Sequence, residues 1–157
     1  MELREVIRKR RSIRKYKQDA IPQEYLDELY QAIRLAPSGM NHQPYRFFFI
    51  QDPSTRARLV NEGCHQDFLH DAPVLVVACC DKGRQFDVAV AVDHLVLSAT
   101  DSGLATCWIG WIEESVVKQI LGIDDDSEVP VIIALGYADE QPEPKEFKSL
   151  DQLIVEI

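Results

Sequence analysis

The sequence is poor in glycine and histidine, and this scarcity excludes several kinds of active site. Its seven glycines are never closer together than seven residues. The glycine-rich loops that bind dinucleotides or nucleoside triphosphates, and the GxSxG turn of hydrolases, are therefore absent. The four histidines include no HxxxH pair, so a zinc site on a helix has no support. A bound phosphate would need donors other than the amides of a glycine loop.

Cysteines and long apolar runs are also scarce. None of the four cysteines forms a CxxC pair, and Cys79 and Cys80 are adjacent in a predicted strand, which points them to opposite faces. We expect reduced thiols and a cytoplasmic protein rather than disulfides or a metal site. The longest nearly apolar run, 72–80, contains a proline and is far shorter than the roughly 20 residues that cross a bilayer. The basic N-terminus lacks the apolar segment of a secretory signal, so we expect neither a signal peptide nor a membrane partner.

The remaining composition is that of a globular protein. Of 157 residues, 46% are hydrophobic and 27% are charged, which is enough for one domain with a sizeable core. No repeat, low-complexity segment or linker interrupts the chain. We therefore expect a single domain over residues 1–157.

Apolar periodicity predicts helices first and then strands alternating with helices. Helical spacing favours helices over 3–9, from Pro22 to about Ala36, over 87–102 with Gly103 as the terminating glycine, and over 114–121. Asp52 and Pro53 suit the cap and the first position of another helix. Apolar runs favour buried strands over 45–50, 72–80, 104–112 and 129–137. The pattern predicts an α+β or mixed α/β fold, with a mixed central sheet flanked by helices.

The last eight residues, LDQLIVEI (150–157), are too apolar to remain in solvent. They follow a polar, proline-containing segment that begins at Ala138. We expect them to dock on the chain's own domain or on a partner, either as a strand or as a helix.

Positive charge is concentrated at one end of an acidic chain. The formal net charge is −9, yet Arg8–Tyr16 contains six cations, and eight of the 17 Lys and Arg residues lie in the first 17 positions. Three interpretations are open: a solvated helix end, a nucleic-acid surface, or a compact site for a small anion such as a nucleotide phosphate. The acidity of the other residues would repel a polyanion, so we expect no nucleic-acid partner.

Two further segments favour the compact anion site. PSGMNHQP (37–44) places serine, asparagine and glutamine on a loop bounded by prolines, suited to a polyol or a heterocycle edge, although an ordinary turn uses the same residues. GLATCWIGW (103–111) places Trp108 and Trp111 around Gly110. Both tryptophans would suit a core, but glycine between them also permits a planar ring to approach the backbone.

These three segments occur in the order found in the nitroreductase family of FMN-dependent oxidoreductases, which the chain resembles over nearly its full length. The matching pieces are RRSIRKY, APSGMNHQPYRF, DAPVLVV, the helix from Asp87 that runs into GLATCWIG, and the lysine-containing tail. The resemblance implies an α+β nitroreductase fold and a homodimer of intertwined subunits. It also implies two FMN sites at the subunit interface.

The resemblance assigns flavin contacts to several groups of residues. The phosphate would be held by Arg10, Arg11 and Ser12, and Arg14 would lie near N1 and the C2 carbonyl of the ring. A loop of the other subunit would reach the flavin through Pro37, Ser38, Gly39 and Asn41. The backbone along the isoalloxazine would be that of Cys107, Trp108, Ile109 and Gly110.

Two positions depart from the family pattern. His65, beside Gln66, stands where many members have an asparagine against the ring edge. In the tail, Phe147 follows Lys145 at the position where an arginine usually contacts the phosphate, and Lys148 is a candidate replacement. We expect a lower affinity for FMN as a result.

The implied activity is a ping-pong transfer of hydride. NADH or NADPH would reduce the flavin at N5, and the flavin would reduce a nitroaromatic, quinone or related acceptor, with Arg14 stabilising the negative charge. No side chain is needed as acid, base or nucleophile. Two alternatives remain: a non-catalytic FMN-binding or storage protein, and a relative with another flavin reaction, such as dehalogenation or flavin breakdown. The chain has no long insertion between Gly83 and Asp87 that would form a lid and select a specialised substrate.

Overall fold

The computed structural model describes every residue from Met1 to Ile157. Its α-helices are α1 (Leu3–Lys9), α2 (Gln23–Leu35), α3 (Pro53–Arg58), α4 (Gln85–Asp101) and α5 (Glu114–Leu121). Its strands are β1 (Tyr45–Ile50), β2 (Val74–Cys80), β3 (Ala105–Ile109) and β4 (Glu128–Gly136). A π-helical turn, Leu59–Cys64, continues α3, and 3-10 turns cover Gly39–Asn41, Asp67–Asp71 and Leu150–Gln152.

The four strands form one sheet in the order β1-β2-β4-β3, and all neighbouring strands are antiparallel. The expectation of a mixed sheet was therefore wrong for the pairing of these four strands. β2 and β3, which α4 connects, run in the same direction because both are antiparallel to β4. They do not pair with each other, because β4 lies between them. Parallel pairing is limited to an isolated bridge between Ser12 and Thr106.

Hydrophobic residues cover both faces of this sheet. One face packs against the π-helical turn and α5, and the other packs against α2 and α4. Every residue of β2 is buried. Cys79 belongs to the first cluster and Cys80 to the second, so the expectation that they point to opposite faces is confirmed.

Local sequence signals account for the helix ends. The Asp52 carboxylate accepts a hydrogen bond of 2.7 Å from Thr55 N–H, which satisfies one of the free amides at the start of α3. Gly103 follows the end of α4 with a φ of 77°, a conformation that glycine adopts without strain. The apolar spacing along α2 predicts a stripe of Leu26, Leu29, Tyr30 and Ile33, of which Tyr30 is half-buried and the other three are buried.

The segment after α1 is fixed between two parts of the sheet. Ser12 pairs with Thr106 of β3, and Tyr16 pairs in the antiparallel direction with Ala138, just beyond β4. A second hydrogen bond, from Lys17 N–H to the Tyr137 carbonyl, measures 2.9 Å. The cationic segment is thus part of the folded structure and not a free arm.

The C-terminal tail does not dock on its own chain. Ser149 caps the short turn Leu150–Gln152 with a reciprocal pair of hydrogen bonds, and the remaining residues form no strand or helix. All large apolar residues of the tail are exposed: Leu150, Leu153, Ile154, Val155 and Ile157. None of the helices combines the length and the apolar character needed to span a bilayer.

Gly136 provides a test of packing at the end of β4. A Cβ atom at this position would lie 2.6 Å from Pro73 Cδ and 3.0 Å from Tyr16 Cδ1, both ring atoms that cannot move aside alone. We expect Gly136→Ala to lower the free energy of unfolding by about 1–3 kcal/mol, measured by denaturant titration. Gly110→Ala is the matched control, because a Cβ there meets nothing within 4 Å. Equal stabilities for the two variants would contradict this account.

Candidate functional site

The candidate site lies along the outer edge of β3, where the basic segment crosses it. Ile13 N–H donates a hydrogen bond of 3.0 Å to the Thr106 carbonyl, which fixes the residues on either side of Ile13 against the strand. Ser12, Arg10 and Arg11 are partly buried, whereas Arg14 is exposed. Three cationic side chains therefore project from a backbone that the sheet holds in place.

A cleft of about 370 Å³ brings some of the predicted phosphate ligands together. Its lining includes Arg10, Arg11 and Lys145, with Asp93 and Leu97 of α4 opposite. Phe147 also lines this cleft. Lys148 is exposed, and no contact places it near the arginines. The structure thus groups Lys145, but not Lys148, with the N-terminal cations.

Arg11 differs from its neighbours in having partners within the chain. Its Nη1 donates to the carbonyls of Arg8 and Arg10 at 2.6 and 2.8 Å. These bonds satisfy free carbonyls at the end of α1. Arg11 therefore caps the C-terminal end of α1 with Nη1, and only its other guanidinium nitrogens are available to a ligand.

Arg10, Arg14 and Lys145 form no ion pair within the chain. Their effect is seen on Cys107 of β3: burial raises the pKa of this thiol, while the charges of Arg14, Lys145 and Arg10 oppose that increase. The acid beside them, Glu140, accepts a hydrogen bond from the Arg14 backbone amide. Its contact is thus with the main chain, and the Arg14 guanidinium stays free for a ligand.

Thr106 carries the one buried side-chain polar atom without a hydrogen-bond partner, its Oγ1. The residue follows Ala105 and pairs with Ser12 at the place where the cationic segment meets the sheet. A buried hydroxyl without a partner costs free energy. This position is therefore suited to a ligand or a water molecule that can bond to it.

The end of β3 is open on one side. Trp108 is 39% exposed and Trp111 is 84% exposed, so the interpretation of both as core residues fails. Ile109 is buried, while Gly110 is exposed and has free space around its Cα. The backbone at Gly110 is therefore accessible to a planar ring.

His65 and Gln66 follow the π-helical turn near this end of β3. A hydrogen bond of 2.7 Å from Glu113 N–H to the Gly63 carbonyl joins this turn to the segment that follows β3. His65 is exposed with a φ of 52°, and neither His65 nor Gln66 has a side-chain hydrogen bond. Both side chains are therefore free to bind another group.

The loop that contains Pro37, Ser38, Gly39 and Asn41 lies elsewhere in the chain. It precedes β1, on the edge of the sheet opposite β3. The Ser38 hydroxyl accepts a hydrogen bond of 2.9 Å from Gln43 N–H and so closes the loop. Within one chain the structure does not bring this loop to the basic segment.

Sequence reasoning missed Asp87, which is buried at the start of α4. Its carboxylate accepts hydrogen bonds from Gly39 N–H at 2.8 Å and from Arg84 Nε at 2.7 Å. The bond from the Gly39 amide, followed by the contacts with Arg84, lowers the pKa of Asp87. An aspartate in a first helical turn usually indicates only a favourable dipole interaction, so the sequence contained no signal of a contact with the loop.

Comparisons with known proteins identify the family of the chain. A family model described as "Putative TM nitroreductase" matches residues 2–156. The curated "Putative NAD(P)H nitroreductase YfhC" of Bacillus subtilis (strain 168) is 30% identical over 170 residues, or 91% of this chain and 88% of that protein. "Iodotyrosine deiodinase" of Thermotoga neapolitana is 24% identical over 172 residues, or 91% of each chain.

A solved structure shows the same fold. The FMN-dependent nitroreductase of Clostridium difficile R20291 is 30% identical, with a TM-score of 0.81 that covers 93% of this chain and 92% of that one. The similarity extends over almost the whole of both chains, as the sequence motifs predicted. The chain belongs to the nitroreductase family.

Proposed function

We propose that the protein is an FMN-dependent oxidoreductase that takes hydride from NADH or NADPH and passes it to a nitroaromatic, quinone or related acceptor. The observation that carries this proposal is the cluster of Arg10, Arg14 and Lys145 around β3, three cations that form no ion pair within the chain. Such a cluster repels itself unless an anion binds there. Because a related structure is that of an FMN-dependent nitroreductase, the anion that we assign to this cluster is the phosphate of FMN.

The residues of this edge fit a flavin. Arg10 and Lys145 line one cleft and would hold the phosphate, with help from the Ser12 hydroxyl. Thr106 Oγ1 lacks a partner and would gain one from the ligand or its water. The backbone from Cys107 to Gly110 would lie along the ring, with Trp108 and Trp111 exposed beside it.

When bound, FMN supplies the redox chemistry by accepting hydride from the nicotinamide and giving it to the acceptor. This chain's own contribution is binding and electrostatics. The Arg14 guanidinium would stabilise negative charge on the ring edge near N1, because its backbone is held beside β3 and its side chain forms no ion pair within the chain. His65 and Gln66 would contact the ring edge as hydrogen-bonding groups.

An assay with purified protein tests this function. We expect a yellow protein with equimolar FMN, whose flavin absorbance bleaches on anaerobic addition of NADH or NADPH and returns when menadione or nitrofurazone is added. A yellow protein that does not bleach would instead support flavin storage. A colourless protein that gains no flavin absorbance with added FMN would refute the proposal.

One specific observation supports adding a dehalogenation arm to this assay, namely the similarity to the iodotyrosine deiodinase. Only Asp81 to Arg84 connects β2 to α4, so no insertion between these elements covers the ring. We expect reoxidation by iodotyrosine to be slower than by the quinone. If iodotyrosine reoxidised the flavin faster than the quinone, the protein would be assigned as a dehalogenase instead.

The two arginines at the end of α1 should differ in their effect on FMN binding. We expect Arg10→Ala to weaken FMN binding by about 1.5–3 kcal/mol, the scale of a charge-assisted hydrogen bond. Arg11→Ala should weaken it less, since one of its nitrogens already bonds to the carbonyls of Arg8 and Arg10. Arg4→Ala, on the exposed side of α1, is the control for the change in net charge. Titration of the apoproteins by flavin fluorescence measures all three, and a larger loss for Arg11→Ala would reverse the assignment.

We also propose that two copies of the chain form an intertwined dimer in the cytoplasm, each contributing one FMN-binding domain over residues 1–157. The loop 37–43 and the basic segment lie at opposite edges of the sheet, so one flavin can contact both only if they come from different subunits. The outer edge of β1 has no partner strand, and beside it Tyr30, Ile33, Phe47 and Phe49 line an apolar groove of about 490 Å³. The exposed apolar tail, 150–157, would cover this groove on the other copy.

Deletion of residues 150–157 tests this assembly. We expect the wild type to be a dimer that buries over roughly 2,000 Å², and the truncated protein to lose both the dimer and most of its FMN. The full-length variant Leu153→Ser/Ile154→Ser should also lose the dimer and most of its FMN. Asp151→Ser is the control and should keep the mass and the FMN content of the wild type. Light scattering measures the mass of the assembly, and the flavin absorbance measures the FMN content. A truncated protein that stays a flavin-loaded dimer would exclude the tail as the connecting element.

A further inference from the structure

The loop between α2 and β1 has an unusual backbone conformation. Met40, Asn41 and Gln43 have φ values of 53°, 56° and 48°, in the left-handed region that residues other than glycine rarely occupy. Met40 is 90% exposed, so its side chain gains no packing that would offset the strain. Other contacts must therefore hold the loop in this shape.

Asp87 supplies the contact that ties this loop to a distant part of the chain. Gly39 N–H donates to Asp87 Oδ1 at 2.8 Å. All other hydrogen bonds of residues 38–43 are within the loop or to the adjacent Tyr45. Without Asp87, no hydrogen bond would join residues 38–43 to a part of the chain beyond Tyr45.

Arg84 orients the Asp87 carboxylate from the opposite side. Its Nε donates to Asp87 Oδ2 at 2.7 Å, and the two side chains are 36% and 12% exposed. The guanidinium also lies against Gly39, where a Cβ atom would be only 3.0 Å from Arg84 Nη2. Gly39, Arg84 and Asp87 thus form one packed unit, and a side chain at position 39 would have to displace the Arg84 guanidinium.

We propose that Asp87, oriented by Arg84, is a positioning residue that fixes the loop 38–43 in the conformation that binds the flavin of the partner subunit. This inference rests on the proposed function, because the loop is there assigned to the flavin. A loop that is ordered before binding loses less conformational entropy when the ligand arrives, so the affinity is higher. The strain at Met40, Asn41 and Gln43 is retained because the bond from Gly39 to Asp87 opposes relaxation of the loop.

The test must separate this role from simple stabilisation of α4, whose first turn contains Asp87. Asp87→Asn keeps an oxygen acceptor for Gly39 but loses the charge that pairs with Arg84, and Asp87→Ala loses both. Asp101→Asn is the matched control, since it makes the same chemical change near the other end of α4 and also removes an ion pair, with the N-terminal amine. Each variant is prepared as the full-length chain, and its free energy of unfolding is measured without FMN.

Hydrogen exchange of the apoprotein tests the positioning contact without any flavin. We expect faster exchange in the peptide that covers residues 37–44 for Asp87→Ala, with unchanged exchange in β2 and in the second half of α4. Asp87→Asn should show a smaller increase, and Asp101→Asn should match the wild type over 37–44. Unchanged exchange in this peptide for Asp87→Ala would refute the inference, whatever the flavin titrations give.

Flavin titration then tests the consequence for binding. We expect Asp87→Ala to raise the Kd for FMN about tenfold, Asp87→Asn to raise it less, and Asp101→Asn to leave it unchanged. Equal Kd values for Asp87→Ala and the wild type would refute the inference. It would also be refuted if the weaker FMN binding of Asp87→Ala were fully accounted for by its larger fraction of unfolded protein. If the wild type bound no FMN, the proposed function would fail, and the exchange experiment would still show whether Asp87 orders the loop.

Discussion

Burial of the two central strands on both faces is the constraint on which the rest of the structure depends. β2 and β4 consist almost entirely of apolar residues that belong alternately to the two hydrophobic clusters. Such strands need a helical layer on each side, which α2 and α4 supply on one face and α5 with the π-helical turn on the other. Ligand chemistry is consequently confined to the edges of the sheet, β1 and β3, and to the loops next to them.

The two edges of the sheet carry different chemistry. β3 is bordered by the basic segment, whose backbone is fixed by Thr106 and Ala138 and whose guanidiniums at Arg10 and Arg14 have no acidic partner. β1 is bordered by an apolar groove and preceded by a polar loop. The cationic cluster forms no ion pair in a chain of net charge −9, and Glu140, an acid beside it, bonds to a main-chain amide and not to a guanidinium.

The sequence predicted those features that follow from local periodicity and from the order of motifs. The helices, the buried strands, the Asp52 cap, the Gly103 terminus and the family were all correct. Strand direction was not, because periodicity reports which faces are buried and not that β4 lies between β2 and β3. The hydrogen bonds of Asp87 and Arg11 were also beyond the sequence, since each joins residues whose proximity depends on the whole fold or on the exact path of a helix end. The assignment of individual residues to the flavin stays a prediction.

The strained loop has a consequence for laboratory evolution of this protein. Met40, Asn41 and Gln43 are exposed residues in a backbone region where glycine is preferred. A selection for thermal stability alone would therefore favour glycine wherever the relief of backbone strain exceeds the entropy that glycine adds to the unfolded chain. Under the proposed assignment of residues 38–43 to the flavin, variants enriched by such a selection would combine higher melting temperatures with weaker retention of the coenzyme. A library intended to improve robustness should accordingly leave residues 38–43 unchanged, or should be screened for colour as well as for heat resistance.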